Sequence, residues 1–192
     1  MQNNLKKFTS IISGYSFRGA VIPDITGGFR VAQVRDITDT QKLVDRDCLT
    51  PIAFHSPDAE AFLQHNDILL ATRGTETGGF KVGLYDGHAT NIIASSALYV
   101  LRVKDDKLLL EYLTYYLSSH SGQRALQEIT SGSTIKVILK KELEQLKIPV
   151  PSIKVQKNIV ETIKNIQEQK DLLQRKKELL ENISTYILDN IQ

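Results

Sequence analysis

The C-terminal segment Ser152–Gln192 contains no glycine or proline, and its apolar residues recur every seven positions. This repeat predicts one long helix with an apolar seam suited to a coiled coil. The predicted seam consists of Ile159, Ile163, Ile166, Leu173, Leu180 and Ile187. At about 1.5 Å per residue the helix would extend roughly 60 Å, which exceeds the diameter of an ordinary domain. The alternative is a helix that folds back on its own domain, but the length favours a partner helix from outside it.

Two prolines, Pro149 and Pro151, stand immediately before this helix. Proline disfavours helical backbone in the residue before it, and Ser152 is a suitable N-cap. We therefore predict a stiff joint that directs the helix away from the body. The predicted division is a domain of residues 1–148 followed by a spacer and dimerisation helix of residues 149–192.

Short apolar runs separated by turn residues extend from Val21 to about Val103. Runs such as Asp67–Gly74 and Ser96–Val103 predict strands of a mostly antiparallel, partly barrel-like β region, with a hairpin at Gly78–Gly87. A helical stripe follows, formed by Leu109, Tyr112, Leu113, Tyr116 and Leu117. Three serines and a glycine then break or restart this stripe, and they are Ser118, Ser119, Ser121 and Gly122. Thr134–Leu139 has the composition of a strand, and a short helix or turn should precede the prolines. The predicted class is α+β, a β-rich domain with a few helices followed by the long helix.

Composition excludes several classes of protein. The chain has 192 residues, a net charge of +2 and a single cysteine, Cys48, so it cannot form an internal disulfide. Its first residues lack the apolar stretch of a signal peptide, and no apolar run is long enough to cross a membrane. The expected location is the cytoplasm, without membrane attachment.

Charge is unevenly distributed along the chain. Residues 1–35 carry five basic residues against one acid, and residues 132–141 carry three lysines and no acid. Two such clusters would form a phosphate-facing surface if the fold brought them together, although scattered surface lysines would give the same pattern.

Sequence motifs for catalysis are weak. The four histidines are dispersed, and neither a phosphate-binding loop nor a dinucleotide fingerprint occurs, so we expect no metal or cofactor site in this chain. One alternative is a magnesium-dependent nuclease that uses Asp58, Asp105 and Lys107. The segment around Asp105 is equally a polar turn between a strand and a helix, which is the interpretation that we favour.

The chain then shows a motif that extends from Gly132 to Gln156. A Gly-Ser-Thr segment at 132–134 is followed by Leu143, Leu146, Ile148 and the two prolines, and Gln156 marks the start of the helix. Together with "NDILLATRGT" and "TNIIASSALYVLRV", this motif resembles the target-recognition module of type I restriction–modification specificity (S) subunits. Asn66, Ser152 and Val155 depart from the pattern, in which glycine, proline and glutamate are usual.

The resemblance implies a DNA-recognition protein that is not an enzyme. A full S subunit resembles two such modules in tandem, whereas this sequence holds one. The chain would therefore act as a half-sized subunit that pairs with itself or with a different half-subunit and reads two half-sites of duplex DNA. S-adenosylmethionine, Mg²⁺ and ATP would belong to the partner methyltransferase (M) and possible restriction (R) subunits.

We expect polar and basic loop residues to contact the DNA, because arginine binds guanine or phosphate and hydroxyl groups fix phosphates. The predicted DNA-binding residues are Arg18, Arg30, Arg73, Lys81, Ser133, Thr134 and Lys136. A third possibility, besides DNA recognition and nuclease activity, is a coiled-coil adaptor whose β domain binds protein.

Overall fold

The computed structural model describes residues 2–55, 60–74, 79–131 and 136–189. The strands are β1 (Gln2–Asn4), β2 (Thr9–Ser13), β3 (Phe29–Ala32), β4 (Thr50–Ile52), β5 (Asp67–Ala71), β6 (Val82–Tyr85), β7 (Ile92–Ala94), β8 (Leu98–Val103), β9 (Thr130–Ser131), β10 (Val137–Ile138) and β11 (Lys147–Pro149). The α-helices are α1 (Leu110–Ser118), α2 (His120–Glu128), α3 (Lys140–Gln145) and α4 (Ile153–Asp189). This arrangement confirms the predicted α+β class.

The central sheet has the strand order β2-β8-β5-β6, and all of its pairs are antiparallel. Its middle strand β5 is buried along its whole length, which explains the continuous apolar run in the sequence. Because side chains alternate between faces, Ile68 and Leu70 pack beneath the helices while Leu69 faces the second sheet. The central sheet is therefore covered on both sides.

The second sheet has the order β4-β3-β7, and its strands β3 and β7 run parallel. The other strand pairs in the described residues are antiparallel, which agrees with the prediction of a mostly antiparallel region. Five aromatic residues cluster with its buried residues, mostly in edge-to-face contact with one another, and they are Tyr15, Phe17, Phe29, Phe54 and Phe62. The region expected to be partly barrel-like consists of these two sheets, which share a core.

The β region also begins earlier than predicted, because β1 and β2 precede Val21. β2 pairs with β8 along its full length, so it belongs to the central sheet. The predicted hairpin at Gly78–Gly87 is described only in part, and its one strand there, β6, pairs with β5.

Helices α1 and α2 confirm the stripe and its interruption. Tyr112, Leu113 and Leu117 are buried on the face of α1 that packs against the sheet. Ser119 ends α1 and caps α2, since its hydroxyl oxygen accepts a hydrogen bond of 3.2 Å from the Gly122 N–H. The serine-rich break in the sequence is therefore a change of helix direction.

The proline-containing joint is part of the body rather than a free linker. β11 pairs with β1, so Pro149 sits in a two-stranded ladder where its missing N–H costs little. The Tyr112 hydroxyl donates a hydrogen bond of 3.1 Å to the Pro149 carbonyl. β11 spans the proposed boundary between residues 148 and 149, and this division of the chain stays a prediction.

Helix α4 begins at Ile153 and extends 37 residues. Its first turns contact α1, with Val160 buried and Ile159 and Ile163 partly buried. Residues 168–187 are all exposed, including Leu173 and Leu180, which are 66% and 56% accessible. None of the described helices is long and apolar enough to cross a membrane.

Candidate nucleic-acid interface

Two of the predicted DNA-binding cations, Arg73 and Lys136, are neighbours in the fold. Arg73 forms an antiparallel bridge with Val137, and the Gly74 N–H donates to the Lys136 carbonyl at 2.9 Å. Both basic side chains are exposed. The structure therefore brings together residues that are 63 positions apart in the sequence (136 minus 73). Whether they bind DNA stays a prediction.

The loop that carries Arg18 leaves the same end of the central sheet. The Gly14 N–H donates to the Leu98 carbonyl at 2.9 Å, and the Thr72 N–H donates to the Ala97 carbonyl at 2.9 Å. Gly14 also lies so close to the Ser95 carbonyl that a Cβ atom would overlap it. Arg18 follows four residues later and is exposed.

Arg30 and Lys81 are occupied by contacts within the protein. The Arg30 guanidinium donates from Nη1 to the carbonyls of Gly27 and Phe29, both at 3.0 Å. The Lys81 ammonium donates to the Ile37 carbonyl at 2.9 Å and lines a cleft of about 330 Å³. Both side chains are partly buried and bonded to backbone carbonyls. They therefore stabilise local structure and expose less of their charge to solvent. Ser133 and Thr134 lie outside the described residues.

The N-terminal basic cluster is divided by the fold. Lys6 and Lys7 precede β2, near β11, because the Leu5 N–H donates to the Leu146 carbonyl at 2.8 Å. Arg18 follows β2 at its other end. The charge count of residues 1–35 therefore does not correspond to one continuous surface.

The Asp105 segment is a turn, as we favoured from the sequence. The Asp105 carboxylate accepts a hydrogen bond of 2.9 Å from the Lys107 N–H, which closes the turn before α1. Asp58, the other acid of the nuclease alternative, lies outside the described residues. Within the described ranges, no group of three or more metal-ligating side chains comes together.

The sequence reasoning missed a buried ion pair between the two middle strands. Arg102 on β8 donates to both carboxylate oxygens of Asp67 on β5, at 2.9 and 2.8 Å, and the Gln64 N–H donates to Asp67 at 2.7 Å. The hydrogen bonds to Asp67 raise the pKa of the Arg102 guanidinium above its usual value, although burial opposes them. The acid inside an otherwise apolar strand was the available signal.

Asn66, which stands where the family usually has glycine, has a backbone φ of 73°. This left-handed conformation is most favourable for glycine, and asparagine tolerates it better than most other residues. The departure from the motif is therefore explained by the backbone.

Gln156 fixes the start of α4. Its side chain is fully buried; its Oε1 accepts from the Leu109 N–H at 2.9 Å, and its Nε2 donates to the carbonyls of Lys107 and Pro151 at 2.7 and 2.8 Å. Its neutral amide thus joins the turn before α1 to the proline joint.

The predicted seam of α4 divides into two parts. Ile159 packs against the core of its own chain, and Ile163 is partly buried. Ile166, Leu173, Leu180 and Ile187 are each at least 45% exposed, together with Leu172, Leu179, Ile183 and Tyr186. From Ile166 onward, α4 therefore exposes an apolar face that a partner helix could cover, and the role of all six seam residues in pairing stays a prediction.

The family comparison matches residues 57–182 to a model described as the type I restriction modification DNA specificity domain. Curated protein sequences gave no match. A crystal structure of the HsdS subunit from Thermoanaerobacter tengcongensis is similar, with 24% identity and a TM-score of 0.68. The alignment covers 98% of this chain and 44% of that chain.

Two further solved structures have the same fold. One concerns complex assembly and conformational transition of the type I R-M system, with 23% identity, a TM-score of 0.69 and coverage of 97% of this chain and 43% of that chain. The other is a type I restriction–modification S subunit from M. genitalium, with 19% identity, a TM-score of 0.58 and coverage of 93% and 42%. The chain thus spans less than half the length of these structures.

Proposed function

The chain belongs to the family of type I restriction modification DNA specificity domains, and from this premise we propose that it is the DNA-recognition part of a restriction–modification methyltransferase complex. The family membership confirms the resemblance found in the motif. A family of specificity domains also agrees with the expectation that the chain is not an enzyme. The substrate and the partners of this chain are our proposals, because the similar structures are more than twice as long.

In this proposal, residues 1–148 form the recognition domain and contact duplex DNA at the end of the central sheet that carries Arg18, Arg73 and Lys136. The observation that supports it is the exposure of the adjacent cations Arg73 and Lys136. Ser133 and Thr134 belong to the same segment of the chain and remain in the proposed contact set. Arg30 and Lys81 remain in it too, although their present hydrogen bonds would have to be shared or released.

Residues 149–192 form the pairing and docking helix. The eight exposed apolar side chains between Ile166 and Ile187 support a partner helix, because apolar rows of this length are unfavourable in water. We propose that a second copy, or a different half-subunit, covers this face, so that two half-sites are read. The same helix would dock the methyltransferase subunit and, in a complex that contains one, the restriction subunit.

The partner subunits would carry S-adenosylmethionine, Mg²⁺ and ATP in this scheme. We propose the cytoplasm as its location, since duplex DNA lies there in a restriction system and the one cysteine, Cys48, is free and exposed. The nuclease alternative has no further support, because the described acid Asp105 closes a turn. The protein-binding adaptor is separated from DNA recognition by the following experiment.

The binding test is the salt dependence of duplex affinity for the purified chain and for the double variant Arg73→Ala/Lys136→Ala. Each lost phosphate contact lowers the slope of log K against log salt by about 0.9, so we expect a decrease of roughly 2. The control is Lys6→Ala/Lys7→Ala, which removes the same amount of charge before the start of β2, away from the proposed interface. This variant should have the wild-type slope. Equal slopes for the two double variants would refute the interface, and a chain without salt-sensitive binding would be an adaptor.

The pairing test is the solution mass. We expect a particle of twice the 21.6 kDa chain mass, and Leu173→Glu/Leu180→Glu should return it to one chain mass. The control is Gln174→Glu, which adds one charge at an exposed polar position of the same helix. A wild-type chain that stays at 21.6 kDa at high concentration would contradict self-pairing.

A further inference from the structure

The loop between β2 and β3 presents two isoleucines to solvent at its tip. Ile22 is 80% and Ile25 is 91% exposed, whereas the neighbouring Val21 packs against the aromatic cluster of the second sheet. Single exposed apolar residues are ordinary on protein surfaces. Here two of them flank one carboxylate, Asp24, within four consecutive positions. We call residues 22–25 the loop tip.

The loop tip is hydrogen-bonded to the edge of the second sheet. The Asp24 N–H donates to the Pro51 carbonyl of β4 at 2.8 Å, and the Gly27 N–H donates to the Asp24 carbonyl at 2.9 Å. Gly27 lies so close to the Ile52 carbonyl that a Cβ atom would overlap it. The exposed isoleucines are therefore carried by a preorganised turn, so holding them in place for binding costs little conformational entropy.

The carboxylate of the tip has one oxygen engaged and one available. Asp24 Oδ1 accepts from both the Thr26 hydroxyl at 2.7 Å and the Thr26 N–H at 2.9 Å. These bonds, the hydroxyl first, lower the pKa of the Asp24 carboxyl, so it is ionised and can only accept hydrogen bonds. Within the described residues, Oδ2 has no hydrogen-bond partner.

An ionised acceptor between two aliphatic side chains matches the edge of a base better than the backbone of DNA. A carboxylate repels phosphate, but it accepts from the amino groups that cytosine and adenine present in the major groove. Aliphatic side chains contact the methyl group of thymine in the same groove.

Arginines beside the tip can supply the phosphate contacts that a carboxylate cannot make. Arg18 is exposed on the same loop. Arg35 has a side chain that is 68% exposed, and its Nη2 donates to the Thr50 hydroxyl of β4 at 3.0 Å. Exposed basic side chains therefore occur on the loop that carries the tip and at the strand to which the tip is hydrogen-bonded.

We propose that Ile22, Asp24 and Ile25 read base edges in the major groove, with Asp24 Oδ2 accepting from the amino group of adenine or cytosine and an isoleucine contacting the methyl group of a thymine in the same or an adjacent base pair. This inference rests on the proposed function and adds base-reading residues to it. None of the three belongs to the basic contact set, so the two assignments can fail separately.

The test is selection of bound sequences from a randomised duplex library by the purified full chain and its variants. Asp24→Ala removes the acceptor, and Ile25→Ser removes an apolar contact while leaving the bonds of Asp24 in place. We expect each variant to lose about tenfold in preference at the same or an adjacent base pair, which is the size of one base contact. Asp39→Ala, which removes an exposed carboxylate from another loop, should select the wild-type sequence.

The outcomes separate the inference from the proposed function. If the wild-type chain selects a sequence and both tip variants select it with undiminished preference, the inference is wrong and the proposed function stands. If only Asp24→Ala loses preference, loosening of the turn explains the result and the base contact is refuted. If the wild-type chain enriches no sequence, the proposed function fails, and the inference fails with it.

Discussion

Replacing Gln156 by leucine should destabilise the chain, because three backbone groups depend on this side chain. Leucine has a similar volume but can neither donate nor accept, so the Leu109 N–H and the carbonyls of Lys107 and Pro151 lose their partner. At about 1 kcal/mol per hydrogen bond, the expected loss in free energy of unfolding is roughly 3 kcal/mol. For a chain of this length, that corresponds to a decrease in Tm of about 10 °C.

Urea denaturation of wild type and Gln156→Leu measures the loss directly, and hydrogen exchange should show faster exchange of the Leu109 amide. The matched control is Gln169→Leu on the same helix, where the glutamine is exposed and its amide donates to the exposed side chain of Asn165 at 2.7 Å. We expect the free energy of unfolding of this control to lie within about 0.5 kcal/mol of the wild-type value, as is usual for surface substitutions. A loss below about 1 kcal/mol for Gln156→Leu would refute the idea that this side chain fixes the joint.

Gln156→Glu gives a second, pH-dependent form of the same test. The carboxylate would place negative charge against two carbonyl oxygens in a buried site, so its folded pKa should rise above the usual value of about 4.3. A raised carboxyl pKa means that the stability of the variant relative to wild type is greatest at low pH and decreases as pH rises through the folded pKa. A constant difference between about pH 4 and pH 7 would contradict the contact geometry.

Four further substitutions, at three positions, test other parts of the fold. Asp67→Asn leaves Arg102 without a charged partner and should lower the free energy of unfolding, measured with urea, by about 3 kcal/mol. This value is near the lower limit for a buried ion pair because the Arg102 side chain is 29% exposed. Asn66→Gly should be neutral or slightly stabilising and Asn66→Ala should cost about 1 kcal/mol, since the backbone is left-handed there. Gly14→Ala should unfold or distort the end of the central sheet, seen as a lower Tm, because its Cβ would overlap the Ser95 carbonyl.

Local patterns predicted the elements whose burial follows a single period. The stripe from Leu109 to Leu117 became α1, and the uninterrupted segment after Ser152 became α4. The apolar run at Asp67 became a strand buried on both faces. In each case the spacing of apolar residues along the chain indicates which side chains are buried together.

Long-range pairing explains what the sequence did not reveal. β1 and β2 are short and are stabilised by partners near the other end of the domain, β11 and β8. No local period indicates such partners, which is why the β region was predicted to begin at Val21. The parallel pair β3–β7 has the same origin, because its two strands are separated by β4, β5 and β6 in the sequence.

The candidate interface was predicted in part for the same reason. The sequence identified Arg73 and Lys136 as basic loop residues, but only the bridge between Arg73 and Val137 makes them neighbours. The charge count of residues 1–35 grouped Lys7 with Arg18, which β2 separates. Composition gives the charge of a segment, whereas the register of the sheet determines which charges share a surface.

Pro149 and Pro151 restrict the backbone at the joint from which α4 extends. Proline fixes the φ angle, so it also restricts the direction of the adjoining backbone; the carbonyls of Pro149 and Pro151 accept bonds from Tyr112 and Gln156. The exposed part of α4, residues 168–187, extends about 30 Å beyond the body at 1.5 Å per residue. A tilt of one degree at the joint moves Ile187, which lies about 51 Å along the helix from Ile153, by about 0.9 Å. If α4 pairs with a second helix, the rigidity of this joint decides how accurately two recognition domains are positioned on one DNA duplex.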